Sequence, residues 1–164
     1  MVDVVDKATR SRMMAGIRGK NTRPEVELRR ALHALGFRFR LHGRDLPARP
    51  DIVLPRWHAV VLVHGCFWHR HVDCRYATIP ATRPDFWQAK FNANVDRDSR
   101  NLELLQSAGW RTAVIWECAI RAVGAAAIAE RLGIWLRSDG QVLELGASTE
   151  GLLKLSHKPE IEHF

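Results

Sequence analysis

Asp51-Ile52-Val53-Leu54, then Pro55-Arg56-Trp57-His58, then Ala59-Val60-Val61-Leu62-Val63 is the stretch on which the fold turns. Both apolar runs are short, and turn residues bound them. The second is rich in β-branched side chains and too short for a buried helix, so both read as strands. Residues 59–63 hold no polar alternation. A strand apolar on every position is covered on both faces and lies at the centre of its sheet. Upstream, Phe37-Arg38-Phe39-Arg40-Leu41 alternates apolar and basic residues, the pattern of a half-buried strand. Before it, residues 23–35 read as a helix. Asn21 and Thr22 are capping residues, Pro24 suits the first turn and Gly36 supplies the stop. Its apolar stripe is Leu28, Ala31, Leu32 and Leu35. Downstream, a long helix is expected over 85–107, a buried strand over 112–116 and a helix over 120–136. The order αβββαβα predicts a mixed central sheet flanked by helices, an α/β layer around one core.

The outer segments read differently. Residues 1–20 are expected to be a flexible or weakly helical basic arm, residues 21–136 the folded domain, and residues 137–164 a tail of unassigned role. At 164 residues the chain has the length of one domain. No apolar run reaches the ~20 residues needed to cross a bilayer, and residues 1–10 lack the apolar core of a signal peptide. A cytoplasmic protein without a membrane partner is expected. The net charge of +7 favours a polyanionic partner, nucleic acid first. Arg10, Arg12, Arg18, Lys20 and Arg23 crowd the arm, where they are suited to follow a groove of DNA. Three cysteines would leave one unpaired in a disulfide framework, so inert core residues or metal ligands are expected.

The irregular segment from Gly65 to Pro84 carries most of the chemistry. Cys66, His71, Cys74 and Cys118 offer the thiolates and imidazole that tetrahedral zinc prefers, and four ligands with no open position make a structural site. Cys118 also fits an apolar core position. Asp51, at a strand start after Pro50, can hold magnesium beside a phosphate, although Pro-Asp is also a common turn pair. Nuclease cores usually add an acid and a lysine on the next strand; Val63-His64-Gly65 has neither. An imidazole could supply the missing proton transfer, and composition leaves open which of His64, His69 and His71 is catalyst and which is ligand. Glu25 stands in the first turn of its helix, where the dipole favours a carboxylate and from where it can also reach a metal. Phe67, Trp68 and Trp87 lie beside polar residues, as small-core anchors or as wedges for a base stack. Lys90, Asn92, Asn94 and Arg97 suit phosphates and base edges. Trp57, Trp110, Trp116 and Trp135 read as core or core edge.

The chain resembles the very-short-patch repair (Vsr) endonucleases. The likeness lies in Asp6-Lys7-Ala8-Thr9-Arg10-Ser11 with Met14, Leu46-Pro47, Arg49-Pro50-Asp51 and His64-Gly65-Cys66-Phe67-Trp68-His69. It continues in Pro80-Ala81-Thr82-Arg83, Phe86-Trp87, Asn94-Val95, Arg97-Asp98, Gly109-Trp110-Arg111 and Trp116-Glu117-Cys118-Ala119. It spans about residues 3–136. The resemblance implies a restriction-endonuclease-like core and a magnesium-dependent enzyme that nicks one strand of double-stranded DNA. The cut falls 5′ to the thymine of a T·G mismatch left by deaminated 5-methylcytosine. It also implies a monomer with catalytic magnesium and structural zinc. By the same resemblance Asp51 and the backbone carbonyl of Val63 hold magnesium, His69 is the catalytic imidazole with His64 beside it, and Glu25 orders water. Cys66, His71, Cys74 and Cys118 hold zinc. Phe67, Trp68 and Trp87 intercalate, Met14 enters the minor groove, and Lys90 and Asn94 touch the mismatched pair. Val63 replaces a threonine of the best-known member but keeps the carbonyl. The loop between His71 and Cys74 is one residue longer than in that member. Two alternatives are a nuclease of broader mismatch choice and a catalytically dead, zinc-stabilised DNA-binding module.

Overall fold

The computed structural model of the chain describes residues 6–15, 19–147 and 153–155. Its helices are α1 (Lys7–Ala15), α2 (Arg23–Ala34), α3 (Pro84–Ser107), α4 (Glu117–Val123) and α5 (Ala125–Arg137). Its strands are β1 (Arg40–Leu41), β2 (Ile52–Leu54), β3 (Ala59–His64), β4 (Arg111–Trp116), β5 (Val142–Ala147) and β6 (Leu153–Leu155). They form one six-stranded sheet in chain order. The pairs β1–β2, β2–β3 and β5–β6 are antiparallel, whereas β3–β4 and β4–β5 are parallel. The expected mixed sheet is therefore present, with the run 59–64 inside it.

Strand alternation divides the core into two halves. Ala59, Val61, Ala113 and Ile115 pack with Leu28 and Leu32 of α2, Ile120 of α4 and Ile128 and Leu132 of α5. Val60, Leu62, Val114 and Trp116 turn the other way, toward Leu105 of α3. Three layers result, because a period of two on strands buried on both faces requires a cover on each side. No helix among the described residues is long and apolar enough to cross a membrane.

Four local expectations need correction. The strand expected at 37–41 pairs only at Arg40 and Leu41, because Phe37 turns into the core with its ring 5.8 Å from that of Trp57. Leu35, counted in the stripe of α2, is exposed. The helix expected over 120–136 is two helices, broken at Gly124 with φ +85, a conformation that suits glycine. The tail supplies β5 and β6, so the sheet continues beyond residue 136. In the basic arm, Asp6 caps α1 by accepting bonds from the Thr9 amide and hydroxyl.

Candidate active site and metal centre

Parallel pairing brings two of the sulfurs together. β3 and β4 run side by side with His64 opposite Trp116, so Cys66 and Cys118, each two residues further on, leave the same edge of the sheet as neighbours. The loop then returns His71 and Cys74 to them. The four potential ligand atoms lie within 4.8 Å of one another. His71 Nδ1 is 3.7 Å from the Cys66 sulfur and 3.3 Å from that of Cys118. A tetrahedral zinc with ordinary bond lengths would separate sulfur and nitrogen ligands by about 3.6 Å, so the donor set fits that ion. A hydrogen bond with Cys66 pulls the Cys118 thiol down to about 4 against the opposing effect of burial, with His71 and the Ala147 amide adding to it, while Cys66 is pushed up. The imidazole of His71 stacks on Trp116 at 4.2 Å, and a Cβ at Gly146 would meet its Cε1 and Nε2 at 2.6 Å and Trp116 Cδ1 at 3.3 Å, so Gly146 closes on the edge that the two rings share.

The loop also folds His69 back over the end of β3. Its amide donates to Gly65 O, and its ring stacks on that of His64 at 3.9 Å, the planes 4° apart. His69 Nδ1 lies 2.5 Å from Asp98 Oδ2 on α3. Burial opposes ionisation of Asp98, but the bond and the charges of His69 and His64 hold its carboxyl below the usual value. A carboxylate there makes Nδ1 the protonated nitrogen and leaves Nε2 with a lone pair. His64 is buried, and desolvation, with the charge of His69, lowers it to about 3, so it is neutral near pH 7. Its ring edge meets Trp116 at 5.2 Å, which joins the imidazole pair to the Cys/His cluster through one indole. His64, His69 and Asp98 could also be read as a metal triad. The stacked rings argue otherwise, since their in-plane lone pairs run parallel and do not converge.

Asp51 precedes β2, and its Oδ2 accepts the Val63 amide at 2.7 Å. Among the described residues no partner occupies Oδ1. Burial raises its carboxyl to about 6, the nearby Glu25 adding to the rise and the Val63 bond, Arg29 and His69 opposing it. Glu25 is itself buried. It accepts from the Asn21 amide at 2.8 Å, the Thr22 hydroxyl at 3.0 Å and Arg29 at 2.8 Å. This is a capping arrangement at the start of α2, so Glu25 has a structural task in its own right. The two acids, 26 positions apart in the sequence, come near enough for Glu25 to act on the charge of Asp51, because α2 packs against the sheet.

The aromatic residues form one cluster. Phe67 meets Trp68 edge to face at 5.0 Å, Trp87 at 5.8 Å and Phe91 at 5.2 Å. Lys90 Nζ stands 5.9 Å from the Trp68 ring. Asn94 donates to the Trp68 carbonyl at 3.1 Å, so its amide holds the loop in this state. The Met14 side chain lies outside the described residues. Sequence reasoning singled out neither Asp98 nor Phe91 as a site residue. Trp87, Phe91, Asn94 and Asp98 follow the spacing 4, 3, 4, one face of α3, and that periodicity was the available signal.

Comparison with known proteins points to one family. A family model described as DNA mismatch endonuclease Vsr matches residues 2–76. The DNA mismatch endonuclease Vsr of Escherichia coli is 41% identical over 155 residues, covering 93% of this chain and 97% of that protein. The type II nicking enzyme V.XorIIP of Xanthomonas oryzae pv. oryzae is 47% identical over 125 residues, 76% of this chain and 91% of that one. The type II nicking enzyme V.NmeAIP of Neisseria meningitidis is 39% identical over 121 residues, 74% and 86% of the two chains.

Proposed function

The chain belongs to the DNA mismatch endonuclease Vsr family, and from that premise we propose that it is a magnesium-dependent enzyme that nicks DNA 5′ to the thymine of a T·G mismatch. It is an endonuclease of mismatch repair, and its substrate is DNA. The observation that carries the finer reading is the joining of two devices on one loop. Residues 65–71 hold both an imidazole oriented by a carboxylate and two aromatic rings packed beside it. In this reading the core is restriction-endonuclease-like, and residues 1–20 are a DNA-contacting arm on a monomer.

Asp51 and the Val63 carbonyl would hold magnesium, since Oδ1 is free among the described residues and burial leaves the carboxylate charge poorly solvated, a penalty that a bound cation would relieve. When bound, that ion supplies positive charge against the scissile phosphate. His69, with Nδ1 committed to Asp98, takes a proton at Nε2 from the attacking water. His64 stays neutral and fixes the plane of His69. Glu25 orders water near Asp51. Cys66, His71, Cys74 and Cys118 would hold a zinc ion whose four protein ligands leave no place for substrate, so its contribution is to cross-link the loop to β4 and α4. Phe67, Trp68 and Trp87 enter the stack at the mismatch, where unstacking costs least. Met14, Lys90 and Asn94 contact the duplex.

The test is a nicking panel over all mismatches in several sequence contexts, with and without magnesium. Cleavage of T·G alone and only with magnesium is expected. Equal cleavage of other mismatches would establish the broader nuclease, and binding without any cleavage would establish the inactive module.

A further inference from the structure

Arg70 stands between His69 and His71, and neither the imidazole pair nor the Cys/His cluster uses it. Its guanidinium is nonetheless among the most fully engaged cations in the chain. Nη1 donates to the Phe67 carbonyl at 3.2 Å and to the Thr78 carbonyl at 2.9 Å, and Nη2 donates to the Ala77 carbonyl at 2.8 Å. The same plane lies 4.0 Å from the ring centre of Phe91, which is buried on α3, and 5.8 Å from that of Phe67. One side chain thus ties together both limbs of the loop and seats them on the helix. The backbone of Arg70 is at φ +55, a region unfavourable for a non-glycine residue, so the surrounding bonds hold it there.

We propose that Arg70 is a positioning residue for mismatch selection, fixing the Phe67–Trp68 wedge in its inserting conformation before DNA arrives. The inference rests on the wedge reading given above. Its physical basis is preorganisation: a wedge already ordered does not lose loop and rotamer entropy on binding. A planar fork reaches carbonyls on two limbs at once while its face stacks on Phe91, a combination that the compact ammonium of lysine does not reproduce. Because the bonds fall on the loop and the ring on α3, Arg70 acts through the aromatic residues and without touching the phosphate backbone.

The experiment measures affinity for a T·G duplex and for its matched counterpart at one salt concentration, using wild type, R70K, R70A, W68A and W68A/R70K. Melting temperature and zinc content are recorded for each. R70K keeps the charge and an apolar stem over Phe91, so it carries the test if R70A does not fold. Mismatch affinity of R70K is expected to fall roughly tenfold while matched affinity holds, as expected when about one well-made set of bonds is removed. In the W68A background the same substitution should add nothing. Wild-type discrimination in R70K, equal loss on both duplexes, or full additivity with W68A would each overturn the proposal. W68A alone separates the two ideas. Unchanged discrimination there sinks the wedge and the proposal with it, whereas a loss in W68A with none in R70K sinks only the role of Arg70.

Discussion

Asp51 and Asp98 are both carboxylates beside imidazoles, yet their surroundings drive them in opposite directions. Burial lifts Asp51 to about 6, whereas at Asp98 burial is outweighed only by the bond to His69 together with the nearby positive charges and a bond from Arg97, which lower it. The raised value has a consequence for stability. A folded-state pKa above the unfolded one favours the fold while the group is protonated, below about 3.8, and that advantage is lost as pH rises through about 6. In magnesium-free buffer, Asp51→Asn should therefore match wild type in stability below about pH 3.8 and exceed it above pH 6, by up to about 3 kcal/mol, with a higher melting temperature. The same variant should lose nicking while retaining mismatch binding. Melting curves across pH check the first expectation and single-turnover nicking the second; a variant that melts no higher at pH 7 would show Asp51 to be well solvated. Asp98→Asn presents an amide to Nδ1 and disfavours the tautomer that leaves Nε2 with its lone pair. Its nicking rate should fall roughly a hundredfold or more, with DNA affinity kept. A near-normal rate would mean that the stack on His64 alone orients His69. Asp51 was legible in the sequence because it opens a strand. Asp98 was not, because a charged residue on a long helix ordinarily faces solvent, and it is the returning loop that brings the imidazole to it.

At the scale of elements, the loop after β3 is held by what the sheet edge offers. His71 lies flat on Trp116 at the end of β4, and Gly146 in β5 closes on the edge of both rings. Gly146→Ala would place a carbon 2.6 Å from the imidazole edge and 3.3 Å from the Trp116 ring stacked on it, so the pair would have to shift together. Overpacking of this kind costs about 1–3 kcal/mol. Melting temperature and zinc content should fall together, as they should in Cys118→Ala. Full zinc content with an unchanged melting temperature in Gly146→Ala would show that His71 has room to move. The four clustered side chains were readable from their types and spacing. The requirement for glycine at 146 was not, since it arises from a residue 75 positions earlier in the chain. The mixed face of α3 was hidden for a related reason. Trp87 and Phe91 begin an apolar stripe that Asn94 and Asp98 interrupt, and the interruption lies where the helix crosses the candidate active site rather than the core.

For the whole molecule, the proposed function divides the work of binding between the net charge of +7 and the aromatic cluster. Phosphate contacts raise affinity for any sequence and weaken with salt, whereas a wedge discriminates between duplexes. Lys7, Arg10, Arg12, Arg18 and Lys20 lie in the arm. Removing residues 1–20 should therefore lower affinity for matched and mismatched duplexes alike. It should also flatten the dependence of log K on log salt by about one unit for each phosphate that the arm no longer neutralises. Titrations at several salt concentrations decide this, and an effect confined to the mismatch would place the arm among the selective groups.

The sequence by itself determined the central strands, the long helix, and the cysteines, acids and imidazoles that gather at the end of the sheet. Each of these is a local matter, of periodicity over a few residues or of side chains with few other uses. The tertiary structure decided what depends on neighbours distant in the chain. Val142-Leu143-Glu144-Leu145 becomes a strand because β4 offers it a parallel edge once α4 and α5 have crossed over. Phe37 leaves its expected strand because burial against Trp57 draws its ring into the core. Asp98, Arg70 and Gly146 acquire their surroundings from one returning loop, whose path follows from where the sheet edge leaves two free sulfurs and an open aromatic face.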